Sequence, residues 1–530
     1  MTRCPHPRFL ALILLGVALD IRPGLCDGNI LRHAWTRPGG GGAIAVRQDG
    51  TIILAGATTD PPYRESDVYV MERLEEGGDG WVYKVGGSGN DSATGVAIAA
   101  NGDILFSGWF EETVDFDPGP GLDEHSAYGY NAFVTRLSSM GVYLWTKSLD
   151  GPGSASGADI ALDVDGNILI TGSFGGQMDF DPGPAMDLRT AGTFGDMFVT
   201  KLRDDGTYLW TRTVGGSRYV DGNSLGVDSA GSVYAAGSFS GRADFDPGPG
   251  TDFHTTVLFR DNVYATKLFS DGSYAWTRTY PTNLFGFTVT PEGSVFFTGG
   301  HKGATIDFDP TEGVDFRTPA DRDAFVTKLN PDGSYGWTYT ATNGASGGEA
   351  LAVDADGAIM VRGSVYDSPV DFDPGSDVVA YACPSKGGQV SCEFLLKLNA
   401  EGSFNWLRTT EDSFESPFHL MTFDDQGNLY YTRFLGVSDA DPTCAVVDIQ
   451  PPDPDVEHVL YLTKLTCGDL PADFDANGLV DLADLAAFQN CFEGQESDTC
   501  SPGCDIFDLS PDNALDLADF AAFGDLLTSP

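Results

Sequence analysis

The chain reads as all-β, a seven-bladed β-propeller closed by an N-terminal strand, followed by a small all-α domain built on two calcium loops. Three observations predict this. Seven of the eight tryptophans (Trp35, Trp81, Trp145, Trp210, Trp276, Trp337 and Trp406) share one register, at spacings of 46, 64, 65, 66, 61 and 69 residues. Such a period marks a repeat array. Stretches of period-2 alternation recur at fixed offsets from each tryptophan, as half-buried strands do. From Asp473 onward the pattern changes to Asp-rich loops followed by helical periodicity.

The opening residues read as an address. Arg3 and Arg8 precede an apolar run, Phe9 to Leu19, that is too short to span a bilayer. Gly24 and Cys26 then offer small residues for a signal-peptidase site. Residues 1–26 are therefore expected to be a signal peptide, 27–466 the propeller and 467–530 the calcium-binding domain, in a secreted or cell-surface protein. No later segment suggests a membrane span. The formal charge of −47 makes nucleic acid and anionic membrane poor partners, since both are bound through positive charge. Of the nine cysteines, Cys383 and Cys392 bracket one loop and Cys444 and Cys467 flank another. Cys491, Cys500 and Cys504 are the ambiguous set. Secretion makes disulfides the default, and their connectivity stays open.

Each unit follows one order. After the tryptophan strand comes a glycine-rich loop such as Val214-Gly-Gly-Ser, then a short first strand such as Gly95-Val-Ala-Ile-Ala. A tight turn follows at Asp49-Gly50, Asn101-Gly102, Asp165-Gly166, Ala230-Gly231, Glu292-Gly293, Asp356-Gly357 and Gln426-Gly427, where glycine supplies positive φ. The second strand is typified by Asn167-Ile-Leu-Ile-Thr-Gly-Ser-Phe, and an insertion separates it from a third such as Ala324-Phe-Val-Thr-Lys-Leu.

The strand count decides the architecture. The third strand occurs seven times, ending with Leu460-Tyr-Leu-Thr-Lys-Leu, while the first tryptophan strand, at Trp35, precedes every other strand. The last unit lacks a tryptophan strand of its own. The N-terminal strand can supply it and close the ring without an exposed edge.

Six insertions carry an acidic tract: Asp115-Phe-Asp117, Asp179-Phe-Asp181, Asp244-Phe-Asp246, Asp307-Phe-Asp309, Asp371-Phe-Asp373 and the degraded Asp439-Ala-Asp441, each followed by Pro. Propeller connectivity places all six at one mouth. Two readings fit and can coexist. In the first, Asp-Pro-Gly is turn chemistry with glycine in the left-handed region. The phenylalanine is then buried between blades, and the Asp pairs balance the basic residue of every third strand (Arg73, Arg136, Lys201, Lys267, Lys328, Lys397, Lys464). In the second, the paired carboxylates and loop carbonyls hold calcium.

In motifs such as Phe245-Asp-Pro-Gly-Pro-Gly and Phe325-Val-Thr-Lys-Leu, the units resemble the SBBP-type β-propeller repeats of secreted bacterial proteins, from about residue 30 to 466. The resemblance implies the fold and is nearly silent on function, since propellers host unrelated activities.

In the tail, Asp473, Asp475, Asn477, Leu479, Asp481 and Asp484 occupy the ligand positions of a twelve-residue calcium loop, with Gly478 at its sharp turn. The pattern returns 35 residues later with Asp508, Ser510, Asp512, Ala514, Asp516 and Asp519, where Asn513 takes the glycine's place. Leu485, Phe488 and Phe492 match Phe520, Phe523 and Leu527 as apolar helix faces. This duplicated loop and helix resembles a type I dockerin, which implies calcium as cofactor. It also implies partner recognition through Leu482, Ala483, Leu517 and Ala518, just before the last ligands. These four are apolar where cellulosomal dockerins commonly carry Ser or Thr, so the implied partner is a cohesin-like or other extracellular protein.

Two functions are expected to compete. In the first, the propeller is a binding or scaffold module, for a glycan or protein ligand, and the tail mediates attachment. The alternative is a dockerin-bearing enzyme of polysaccharide catabolism, a hydrolase or lyase. Abundant carboxylates make any acid pair uninformative, and no nucleophile elbow, phosphate loop or zinc spacing is present. Glu349 and His419, on presumed innermost strands, are the only catalytic candidates, so the binding reading leads.

Overall fold

The computed structural model describes residues 31–38, 42–59, 65–74, 78–256, 261–366, 369–375, 378–383, 391–413, 421–424, 427–435, 438–439, 448–449 and 459–467. All of the regular structure in them is β. No helix among the described residues is long and apolar enough to cross a membrane. The calcium-loop residues of the tail and His419 lie outside the described residues.

Leu31–Cys467 forms one compact unit containing seven antiparallel sheets of four strands. Six run in chain order. In the third, for example, Ser154–Leu162, Ile168–Gly175, Asp196–Leu202 and Tyr208–Val214 pair in sequence. The last sheet joins Met421–Phe423, Leu429–Leu435 and Val459–Cys467 to the N-terminal strand Leu31–Pro38. Register supports the equivalence of that strand with the fourth strands elsewhere. Trp35 stands opposite Lys464, as Trp210 stands opposite Lys201 and Trp276 opposite Lys267.

No sheet hydrogen-bonds into the next as a continuous sheet. Their first strands pack instead, each against its neighbours all the way round, with Met421–Phe423 touching both Ser346–Val353 and Ala43–Val46. The architecture is all-β and propeller-like. Apolar clusters lie across the sheet junctions. One unites Val70, Tyr83 and Val85 of the first sheet with Phe106, Phe110 and Phe133 of the second.

The repeat signature is legible in these junctions. All seven predicted turn glycines have positive φ, from 75° at Gly231 to 87° at Gly293. Trp81, Trp210, Trp276 and Trp337 reach toward the next sheet, against Gly141, Gly272, Gly333 and Gly402. The Trp276 indole donates to the Pro331 carbonyl at 3.2 Å, and that of Trp337 to the Ala400 carbonyl at 3.3 Å. Gly333 lies so close to the Trp276 ring that a Cβ there would sit 2.7 Å from it. The tryptophan is thus an inter-sheet clasp.

One expectation is overturned. The basic residues of the third strands do not balance the acidic tracts. Lys201 pairs with Asp163 at 2.7 Å, Arg136 with Asp103 at 2.9 Å, Lys267 with Asp228 at 3.3 Å and Lys397 with Asp354 at 3.7 Å. These acids belong to the turn between first and second strands, at the opposite end of the sheet from the tracts. The physical reason is register: the cation stands near the C-terminal end of its strand, and the tract lies beyond the N-terminal end.

Candidate functional site

The acidic tracts share one geometry. In the third sheet, Asp179 Oδ1 accepts from the backbone N–H groups of Asp181 (3.1 Å) and Asp187 (2.8 Å), and Asp181 Oδ1 accepts from that of Gly183 (2.8 Å). The same three bonds recur around Asp115 and Asp117, around Asp244 and Asp246, around Asp307 and Asp309, and around Asp371 and Asp373. One oxygen of each carboxylate therefore closes a turn, as short acidic side chains do. The glycine of the tract is not in the left-handed region, since Gly119, Gly183, Gly248 and Gly375 are absent from the residues with positive φ. The carboxylate makes the turn, and the fifth sheet's tract accordingly carries Thr311 at that place.

Between the paired acids, Phe116, Phe180, Phe245, Phe308 and Phe372 are fully buried. Each meets the aromatic ring of its own third strand with ring centroids 4.8–5.1 Å apart. A third acid escaped the sequence reading. Asp123, Asp187, Asp252 and Asp315 stand eight residues after the first one. Each accepts a hydrogen bond from a fourth-strand tyrosine hydroxyl, of Tyr143, Tyr208, Tyr274 and Tyr335 respectively. Each also meets a base two residues on: Arg189 at 2.9 Å, Arg317 at 2.8 Å, His254 at 3.1 Å and His125 at 3.4 Å. Burial, with the hydrogen bond to the neighbouring carboxylate, pushes these four tyrosine hydroxyls up. Among the described residues, no group of three or more His, Cys, Asp or Glu is arranged to hold a metal ion. Asp439 falls in a described strand, and Asp441 lies outside the described residues.

Glu349 lies on the first strand of the sixth sheet, Ser346–Val353. It is buried within the sixth sheet, where it accepts from the Ser364 hydroxyl at 2.6 Å and lies 3.5 Å from the guanidinium of fully buried Arg362, which also pairs with Glu393. This is an ion network inside the sheet. The same sheet carries the Cys383–Cys392 disulfide.

A cavity of about 320 Å³ opens on the axis of the unit, walled by residues from the neighbourhood of all seven first strands. Its wall includes Ala43 and Ile44, Thr94 and Val96, Ala158 and Asp159, Asn223 and Ser224, Phe285 and Phe287, Ala350 and Leu351, and Met421 and Thr422. Asp159 is its one ionisable residue among the described residues. The strand bulges between Gly157 and Asp159. Asp159 Oδ2 accepts from the Leu225 N–H of the next sheet at 2.8 Å, and Oδ1 from the Ile160 N–H at 2.8 Å. Burial pushes its carboxyl up to about 6 against the pull of those two backbone bonds.

No family model matches the chain. It is similar to an uncharacterized WD repeat-containing protein of Acanthamoeba polyphaga mimivirus, 22% identical over 417 residues, covering 66% of this chain and 30% of that protein. It is also similar to the regulatory protein FlaEY of Caulobacter vibrioides, 24% identical over 248 residues, covering 43% of this chain and 25% of that one. The chain thus spans less than a third of either relative's length. Among solved structures, the phage phi92 endosialidase aligns with a TM-score of 0.34 and 10% identity over 83% of this chain and 68% of its own. The extracellular domain of a hybrid two-component system of B. thetaiotaomicron gives a TM-score of 0.16 and 8% identity, over 76% and 80%. The likeness to a WD-repeat protein fits a repeat-built, β-rich chain.

Proposed function

We propose that the chain is a secreted, calcium-binding attachment protein. Its seven sheets are the blades of a closed, SBBP-type propeller that serves as a binding and scaffold module. Its dockerin-like tail, with the loops beginning at Asp473 and Asp508, binds calcium and mediates attachment to a cohesin-like or other extracellular protein. The observation that carries the binding reading is the axial cavity, to which all seven four-stranded sheets contribute wall residues, with Asp159 the one carboxylate among the described ones. Glycoside hydrolysis calls for a pair of carboxyl groups at defined separation. The rim acids, by contrast, are engaged in turns and tyrosine contacts.

Two measurements test the two halves. A glycan array and a polysaccharide-hydrolysis panel, run on the full chain with and without calcium, should show binding without product. Released product overturns the binding reading in favour of a catabolic enzyme. Calorimetry on the full chain should show saturable calcium uptake that Asp473→Ala with Asp508→Ala removes. Uptake unchanged in that double variant removes the tail loops from the account.

A further inference from the structure

The axial cavity has a composition that selects a ligand class. Its volume, about 320 Å³, is at the small end of ligand pockets, which start near ~300 Å³. Among the described residues its wall carries one carboxylate and no lysine, arginine or histidine, in a chain of net charge −47. A cleft of one sign in a low-dielectric wall concentrates the opposite charge. Anionic ligands are therefore disfavoured.

Asp159 suits a counter-ion's task. Each of its oxygens accepts one backbone N–H, which fixes the carboxylate's orientation while leaving a lone pair on each oxygen for a further donor. The rest of the wall supplies two kinds of surface. Thr94, Asn223, Ser224 and Thr422 offer hydroxyl and amide groups, and Phe285 and Phe287 offer aromatic rings. Cation–aromatic contact is already used at this edge, where the Arg322 guanidinium lies 5.8 Å from the Phe285 ring centroid and 5.6 Å from that of Tyr366. A carboxylate and aromatic faces are the groups that recognise an ammonium head.

We propose that this cavity binds a small organic cation, an ammonium-bearing molecule of amino-alcohol size, with Asp159 as counter-ion and Phe287 in the aromatic wall. The proposal rests on the reading of the propeller as a binding module and narrows it to a ligand chemistry. A lone carboxylate with two backbone donors is a poor divalent-metal site, because calcium takes six to eight oxygen ligands. An organic cation needs one counter-charge and an aromatic face.

The test is calorimetric titration of the full chain with choline chloride and with its uncharged carbon isostere, 3,3-dimethylbutan-1-ol. Choline should bind saturably, and the isostere roughly tenfold more weakly or less, the size expected for losing a charge-assisted contact. Asp159→Asn should weaken choline by a similar factor and leave the isostere unchanged. Phe287→Leu, which leaves the inter-sheet bonds of Asp159 in place, should weaken choline several-fold and serves if the first variant folds poorly. Equal binding of choline and isostere, or choline binding indifferent to both substitutions, overturns the cation proposal but leaves the cavity a ligand site. Absence of choline binding also overturns it, and the glycan array then decides the binding reading by itself.

Discussion

Lys201 and Asp163 form a buried ion pair inside the third sheet, Nζ to Oδ2 at 2.7 Å, with side chains 6% and 2% exposed. Burial works against the charge of Asp163, but hydrogen bonds from Lys201 and Asn167 outweigh it and hold the carboxyl below the usual range. Removing one partner strands the other. Asp163→Ala should cost about 3–5 kcal/mol, the penalty of an uncompensated buried charge. Replacing both by Met and Leu should cost much less than the sum of the single changes. Urea denaturation of Asp163→Leu, Lys201→Met and their double variant checks this, and additive losses contradict it.

The fifth sheet lacks that acid. Thr290 stands where its neighbours have Asp228 and Asp354, and Lys328 instead sets its ammonium 5.4 Å from the Phe296 ring centroid. Thr290 already accepts from the Ser294 N–H at 3.3 Å, as Asp228 does from Ser232 at 2.8 Å. An aspartate fits the same turn. Thr290→Asp should therefore raise stability by up to about 1 kcal/mol, measurable as a higher melting temperature. A lower one means Lys328 cannot leave its aromatic contact.

Tyrosine, acid and base at the rim behave as a set. Where the third and fifth sheets have Tyr208, Asp187, Arg189 and Tyr335, Asp315, Arg317, the sixth has Phe404, Val379 and Tyr381. All three members differ together, which an isolated hydrogen bond does not require. Tyr208→Phe alone should cost roughly 1–2 kcal/mol by leaving Asp187 short of a donor. Adding Asp187→Val and Arg189→Tyr should recover part of that loss. If the triple variant is less stable than the single one, the three positions are not a unit.

Asp91 and Asp323 are buried, and burial pushes each carboxyl up to about 6. In the unfolded chain an aspartate loses its proton near ~3.9. Between those values the native state binds more protons than the unfolded one, so the contribution of these groups to stability falls as pH rises from about 4 to about 6 and is flat above. Asp323→Asn removes one such group. The stability difference, variant minus wild type, should grow across that window and then level off. A difference independent of pH from 4 to 7 contradicts the assignment.

Much of this is visible in the sequence because a repeat states each rule several times. The tryptophan register, the turn glycines and the strand count lead to the sheets, including the displaced strand at Trp35. Phe116, Phe180 and their equivalents are recognisable as core because a lone aromatic between two acids has few other uses. What the tracts do with their acids is less visible. Asp187 stands eight residues from Asp179 with no local pattern joining them, and only the short hairpin of Gln177–Asp179 and Leu188–Thr190 brings them together. The role of the glycine misleads for a related reason: a carboxylate closes the turn, so no left-handed residue is needed. The axial cavity is invisible in the sequence. Its wall takes about two residues from each sheet, and Asp159 reaches it through a bulge that alternation does not announce.

The pairing of Leu31–Pro38 with Val459–Cys467 sets the order in which the molecule can be finished. At synthesis rates of roughly 5–20 residues per second, the first strand waits on the order of 20–80 s for its partner to be made. Six sheets can form from contiguous chain in that interval, while the seventh cannot. During the wait the earliest strand carries unpaired backbone donors and acceptors. The same strand from a second molecule fits the same edge, so two chains can complete each other by exchange. A chain ending before residue 459 keeps the six locally built sheets and leaves Leu31–Pro38 without its partner strand.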